Sequence, residues 1–105
     1  MLEYFVYILR CNDGSYYTGV TNNVELRVVQ HQGGSDPSCY TFKRRPVTCV
    51  YVGMFDDVYD AIAWEKHIKR WSRKKKEALI AGDHATLKQY SRRSHLYKDQ
   101  HSMSP

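Results

Sequence analysis

What this chain of 105 residues has little of narrows what it can be. No run of 18 apolar residues occurs, so no membrane-spanning helix is expected. The three cysteines, Cys11, Cys39 and Cys49, are odd in number and lack C-x-x-C spacing. That argues against a disulfide framework and against a zinc site, and fits small buried thiols in a reducing cytosol. The opening "MLEYFVYILRCNDG" lacks the basic start and small-residue cleavage site of a secretion signal and reads as a strand. A cytoplasmic protein is the expectation. Proline is limited to three residues, and neither an internal repeat nor a linker interrupts the chain. A hydrophobic content of 42% suits one modest core and not two. Acidic residues are outnumbered, 11 against 16 Lys+Arg, for a net charge of +5. Such a balance suits a polyanion such as nucleic acid, or solubility alone, so charge does not decide the function.

What is present reads as an ordered set of elements. Tyr4 to Arg10 is almost continuously apolar and β-prone, as expected of a central strand covered on both faces. Ser15 to Val20 forms the second strand, and Asn12-Asp13-Gly14 between them signals a hairpin. A two-residue turn would put Tyr7 and Tyr17 on opposite faces. A three-residue loop with left-handed Gly14 in a bulge pairs Cys11 with Ser15, Leu9 with Tyr17 and Tyr7 with Gly19. The second turn is favoured, because it makes the two phenols diagonal neighbours on one face, about 7 Å apart, with open space at Gly19.

A helix is expected to start at Asn22, with Glu25 as its capping-box partner, and to end at Gly33-Gly34. Its inward stripe reads Val24, Arg27, Val28, His31. The long loop Gly33 to Pro46 carries Lys43, Arg44 and Arg45 beside Tyr40 and Phe42, and loops of this length are often functional or mobile. Val47 to Met54 is the third strand. Asp56 or Asp57 caps a second helix running to about Trp71, with the stripe Val58, Ala61, Ile62, Glu65, Ile68. A carboxylate in such a stripe is rare unless it is paired or holds a metal. Ser72 caps a third helix that ends at Gly82, and Asp83 a short fourth to about Ser91. Residues 92–105 read as a disordered tail, leaving residues 1–91 as a single domain.

Tyr7, Tyr17 and Arg27 stand ten residues apart in turn, His31 is four beyond Arg27, and Glu65 lies on a later helix. With "FVY" at Phe5–Tyr7 and "YTG" at Tyr17–Gly19, this ordered set resembles the GIY-YIG nuclease domain over about residues 3 to 82. It is most similar to small stand-alone bacterial members, which themselves resemble the nuclease domain of the excinuclease C subunit. The resemblance implies an α/β (α+β) fold, a three-stranded antiparallel sheet flanked by helices in the order β-β-α-β-α-α. It implies an endonuclease that hydrolyses phosphodiester bonds in DNA, branched or damaged DNA in DNA repair included, with one Mg²⁺ or Mn²⁺. Tyr7 or Tyr17 would activate the attacking water, Arg27 hold the scissile phosphate, Glu65 ligate the metal, and His31 bond a tyrosine or the phosphate.

That set is chemically coherent. Arg offers a permanent charge and a planar donor fork for phosphate. A hard cation held by one carboxylate keeps most of its waters and acts as Lewis acid and template. A phenol is a poor base at neutral pH, and Arg27 or the metal would be expected to lower its pKa. Three positions depart from the pattern: Phe5 replaces the first Gly, Val20 stands where many members have Lys, and Glu77 where several have Asn. "KRWSRKKK", with Lys69, Arg70, Arg73, Lys74 and Lys75, is either a solvated face or a track for the DNA backbone. Lys43, Arg44 and Arg45, with Tyr40 and Phe42, are expected to grip a strand or stack on a base, without reading its sequence. A nucleic-acid-binding module with weak nuclease activity and a scaffold domain without nucleic acid are the competing classes. His67, His84, His95 and His101 are assigned no role.

Overall fold

The computed structural model describes residues 3–83. The expected fourth helix and the tail therefore lie outside the described residues. The elements are β1 (Tyr4–Arg10), β2 (Tyr16–Thr21), α1 (Val24–Gly33), a short 3₁₀ turn (Phe42–Arg44), β3 (Thr48–Phe55), α2 (Val58–Lys69) and α3 (Arg73–Ala81). The order is the expected one, and the sheet is antiparallel with β1 between β2 and β3. The central place of β1 explains its unbroken apolar run: Val6, Tyr7, Ile8 and Leu9 have no exposed surface.

The hairpin takes the three-residue form. Cys11 N–H donates to the Ser15 carbonyl at 2.8 Å, and Gly14, at φ 84°, donates to the Cys11 carbonyl at 2.9 Å. The register follows, with Leu9 opposite Tyr17 and Tyr7 opposite Gly19. Both strand ends fall one residue later than expected for β2 and β3. On the other side of β1 the register slips between Ile8 and Leu9, which pair with Tyr51 and Cys49, so one residue of β3 is extra.

The α1 cap corrects the sequence reading. β2 runs to Thr21, whose hydroxyl accepts from Asn23 N–H at 3.1 Å. Asn23, not Asn22, then caps the helix, its side chain accepting from Leu26 N–H at 3.0 Å. Glu25 falls in the first turn, one position short of a capping box. Gly34, at φ 69°, ends the helix in the left-handed conformation. Asp57 caps α2, which stops at Lys69 rather than Trp71, and Ser72 and Gly82 bound α3 as expected.

The sheet divides two layers. On one face Val6, Ile8 and Phe55 pack with Ala61, Trp64 and Ile68 of α2, Trp71, and Ala78 and Leu79 of α3. On the other, Tyr7, Leu9, Cys11 and Val47 pack with Tyr17, Cys49 and Val28 of α1. Trp64, absent from the expected α2 stripe, is 1% exposed and anchors the first layer.

Candidate active site

The second layer gathers the polar side chains that the sequence singles out. Tyr7 from β1 and Tyr17 from β2 lie with ring centres 6.3 Å apart, as the hairpin register requires. Gly19 makes room for the Tyr7 ring: a Cβ there would stand 2.5 Å from the Tyr7 hydroxyl oxygen and 2.6 Å from its ring carbon. α1 brings His31 down onto both phenols, 5.9 Å from Tyr7 and 5.0 Å from Tyr17 between ring centres. The Tyr7 Oη–His31 Nε2 hydrogen bond is 2.9 Å long and buried. Of the two partners left open for His31, the structure pairs it with a tyrosine.

Arg27, one turn before His31, is exposed and bonds Gln30 at 3.2 Å. A cavity of about 60 Å³ lies between α1 and the following loop, lined by Arg27, His31, Asp36, Cys39 and Phe42 among others. It has room for several waters beside the guanidinium.

The electrostatics correct one expectation. Burial pushes the Tyr7 phenol up to about 12, the Tyr17 phenol adds to this, and Arg27 pulls the other way. Arg27 acts in the expected direction, but desolvation is the larger effect. Burial likewise raises Tyr17, with Cys39 and Glu65 adding and Arg27 opposing. Burial, then Arg27, holds His31 below its usual value. At neutral pH both phenols therefore carry their protons and His31 is neutral.

Glu65 on α2 is 8% exposed and forms an ion pair with Lys69, one turn on. Its charge is felt by Tyr17, although α2 packs on the other face of the sheet. Among the described residues no three His, Cys, Asp or Glu side chains come together to hold a metal. A cage of protein ligands does not fit there. A hydrated Mg²⁺ or Mn²⁺ on a single carboxylate does fit, because such ions keep most of their waters. Lys69, whose side chain is 54% exposed, is the cation that Glu65 holds here.

The expected DNA-contacting residues fall into two groups. Lys43, Arg70 and Lys74 are exposed. Arg44 bonds Asp13 at 3.1 Å and the Tyr40 carbonyl at 2.8 Å, and lies 3.8 Å over the Tyr40 ring. Arg45 bonds the Phe42 carbonyl at 2.8 Å and lies over that ring. Arg73 bonds the Gly14 carbonyl at 2.7 Å and Glu77 at 3.1 Å, over Tyr16. Lys75 sits over Trp71, and Lys69 on Glu65. Glu77, at the position where several members of the resembled family have Asn, thus braces α3 against β2, and Tyr16 donates to it at 3.4 Å.

Sequence reasoning missed Thr41 and Cys39. Thr41 is 1% exposed, with its hydroxyl 2.8 Å from His31 Nδ1, and it donates to Cys39 Sγ at 3.5 Å. A small polar residue in an aperiodic loop gives no signal of burial; its neighbour Tyr40 stacks on Tyr17.

The GIY-YIG catalytic domain family model matches residues 3–78. A UPF0213 protein of Staphylococcus saprophyticus is 43% identical over 81 residues, covering 77% of this chain and 98% of that one. A UPF0213 protein of Halobacterium salinarum is 45% identical over 75 residues, 71% and 96% of the two chains. The solution NMR structure of a UPF0213 protein from Bacillus halodurans aligns with a TM-score of 0.50 at 40% identity, covering 76% of this chain and 84% of that one. That of an Enterococcus faecalis protein aligns at 0.57 and 33%, covering 81% and 90%. With the two triplets, the Arg–His helix and the Glu-bearing helix in their expected places, the chain belongs to the GIY-YIG catalytic domain family, a family of nucleases.

Proposed function

We propose that the protein is a divalent-metal-dependent endonuclease that hydrolyses phosphodiester bonds in DNA, with branched or damaged DNA as its substrates. The observation that carries this reading is the buried 2.9 Å bond between Tyr7 and neutral His31, with Arg27 acting on both. It joins a phenol, a base and a permanent cation in one place.

The protonation states assign the work. His31 is the group able to receive a proton, so Tyr7 passes its hydroxyl proton to Nε2 as it takes one from the attacking water. The charge then rests on imidazole and not on the costly phenolate. The Tyr7 ring has no exposed surface, so water reaches its hydroxyl when the half-buried Tyr17 ring beside it shifts. Tyr17 keeps its proton and donates to a phosphoryl oxygen, while Arg27 neutralises the developing charge with its fork. Glu65 would hold Mg²⁺ or Mn²⁺, and a bound cation supplies Lewis-acid stabilisation and a template for the phosphate. Lys43, Arg70 and Lys74 are proposed to follow the DNA backbone. The three free cysteines support a cytoplasmic setting.

The test is cleavage of single-stranded, duplex and branched DNA with Mg²⁺, Mn²⁺ or chelator. Glu65→Ala and Arg27→Ala are expected to lower nicking by at least about 100-fold at an unchanged melting temperature. Variants that cleave at the wild-type rate would refute the site. A second reading, a nucleic-acid-binding module with weak or lost nuclease activity, is favoured by Lys69 occupying Glu65. It predicts salt-sensitive binding without turnover at any metal concentration.

A further inference from the structure

The loop between α1 and β3 is fastened at both ends. The Gln32 side chain donates to the Val47 carbonyl at 3.0 Å and accepts from Val47 N–H at 2.8 Å. Asn12 N–H donates to the Arg44 carbonyl at 2.9 Å, and Arg44 reaches Asp13. Between these ties the chain turns tightly, with Cys39 N–H on the Asp36 carbonyl at 3.0 Å and Phe42 N–H on the Cys39 carbonyl at 3.0 Å. The loop is therefore a braced wall, and Thr41 and Cys39 are the residues it presents to His31.

The hydrogen bonds around the ring bear on where its proton sits. The Thr41 hydroxyl oxygen lies 2.8 Å from His31 Nδ1 and donates to Cys39 Sγ at 3.5 Å, and that sulfur is itself 3.7 Å from Nδ1. With the Thr41 hydrogen on the sulfur, a lone pair of its oxygen faces Nδ1, which then carries the proton and leaves Nε2 to accept from Tyr7. The opposite tautomer would take away the acceptor that the buried Tyr7 hydroxyl bonds, since Arg27, the other group hydrogen-bonded to it, can only donate. The geometry points to Thr41 as a positioning residue that holds His31 in its Nδ1–H form and so keeps the Nε2 lone pair aimed at the Tyr7 proton. The catalytic consequence rests on the nuclease reading above; the tautomer does not.

The experiment uses the full chain, ¹⁵N-labelled, with long-range ¹H–¹⁵N spectra of the His31 ring and nicking kinetics recorded side by side. Wild-type protein is expected to show a protonated Nδ1 and a bare Nε2. Thr41→Val, which keeps the shape but removes the hydroxyl, should mix the two tautomers. It should also lower kcat roughly 10- to 100-fold with KM little changed, the usual scale for losing an orienting partner. Thr41→Ser should restore both readouts. A wild-type ring protonated at Nε2 overturns the proposal, whatever the variants do. So does Thr41→Val with unchanged tautomer and rate, or Thr41→Ser as impaired as Thr41→Val. If Thr41→Val does not fold, wild type and Thr41→Ser decide it. If wild type nicks no DNA, the nuclease reading falls, and the ring spectra still decide the role of Thr41.

Discussion

The two faces of the sheet are built from alternate residues of the same strand, and they are opposite in kind. Val6 and Ile8 point to a dry layer of α2 and α3, in which Trp64, Ile68 and Leu79 fill the space. Tyr7 and Leu9 point to a layer in which a phenol, an imidazole and a hydroxyl bond one another in series. The first face stabilises by removing apolar area from water. The second is buried as deeply at Tyr7 but stores polar groups whose proton positions matter. A domain this small has no separate scaffold for its site, so the two-residue period of β1 sends apolar side chains to one layer and the bonded phenol, imidazole and hydroxyl to the other, while Glu65 stands on a helix of the first layer.

That division can be broken from either side. Trp64→Ala, on the dry face, should cost about 3–5 kcal/mol, measured by chemical denaturation, and take the whole fold with it. Tyr7→Phe, on the wet face, should lower nicking about 10²- to 10⁴-fold while shifting stability by about 1 kcal/mol. Equal losses of stability from the two changes would show that the faces are not distinct.

Alkaline titration sharpens the contrast. The Tyr7 phenol is held up to about 12 by burial first, so the folded state keeps a proton that the unfolded chain loses near pH 10. Stability should therefore fall between about pH 10 and 12, by roughly 3 kcal/mol in all, and Tyr7→Phe should remove that slope. On the acid side, the proposed mechanism requires neutral His31, whose pKa lies below its usual value. The rate should hold as pH drops past about 6.5 and fall only beyond it.

Gly19→Ala should cost about 1–3 kcal/mol, because its methyl overlaps the Tyr7 ring, and should reduce nicking more than a surface change of equal cost. The smallest effects belong to the exposed cations. Lys43→Ala, Arg70→Ala and Lys74→Ala should each lower the salt slope of DNA binding by about 1 with melting unchanged. Arg44→Ala should instead lower the melting temperature, since that side chain braces the loop.

Much of this was readable in advance, because local rules govern it. The unbroken run of β1, the left-handed Gly14 and the α1 stripe together predict that Tyr7, Tyr17 and His31 converge, and they do. The cap moved by one residue because Asn22 and Asn23 are equally good caps, and the choice depends on Thr21. The loop was not readable. Gln32 with Val47 and Asn12 with Arg44 are partners far apart in sequence, and no periodicity announces them. The role of each basic residue was hidden for the same reason: Arg44 and Arg73 look like a DNA surface until Asp13, Gly14 and their aromatic neighbours are seen beneath them.

The tie between the hairpin tip and the loop has a practical consequence for engineering. An exposed Asn-Asp-Gly turn is the kind of place where a tag, a fluorophore or a permutation point would ordinarily be introduced. Here Asn12 and Asp13 both hold Arg44, three residues from Thr41. An insertion at that turn would be felt by His31 before it was felt by the fold, and labels are better attached at exposed Tyr59, on the opposite layer.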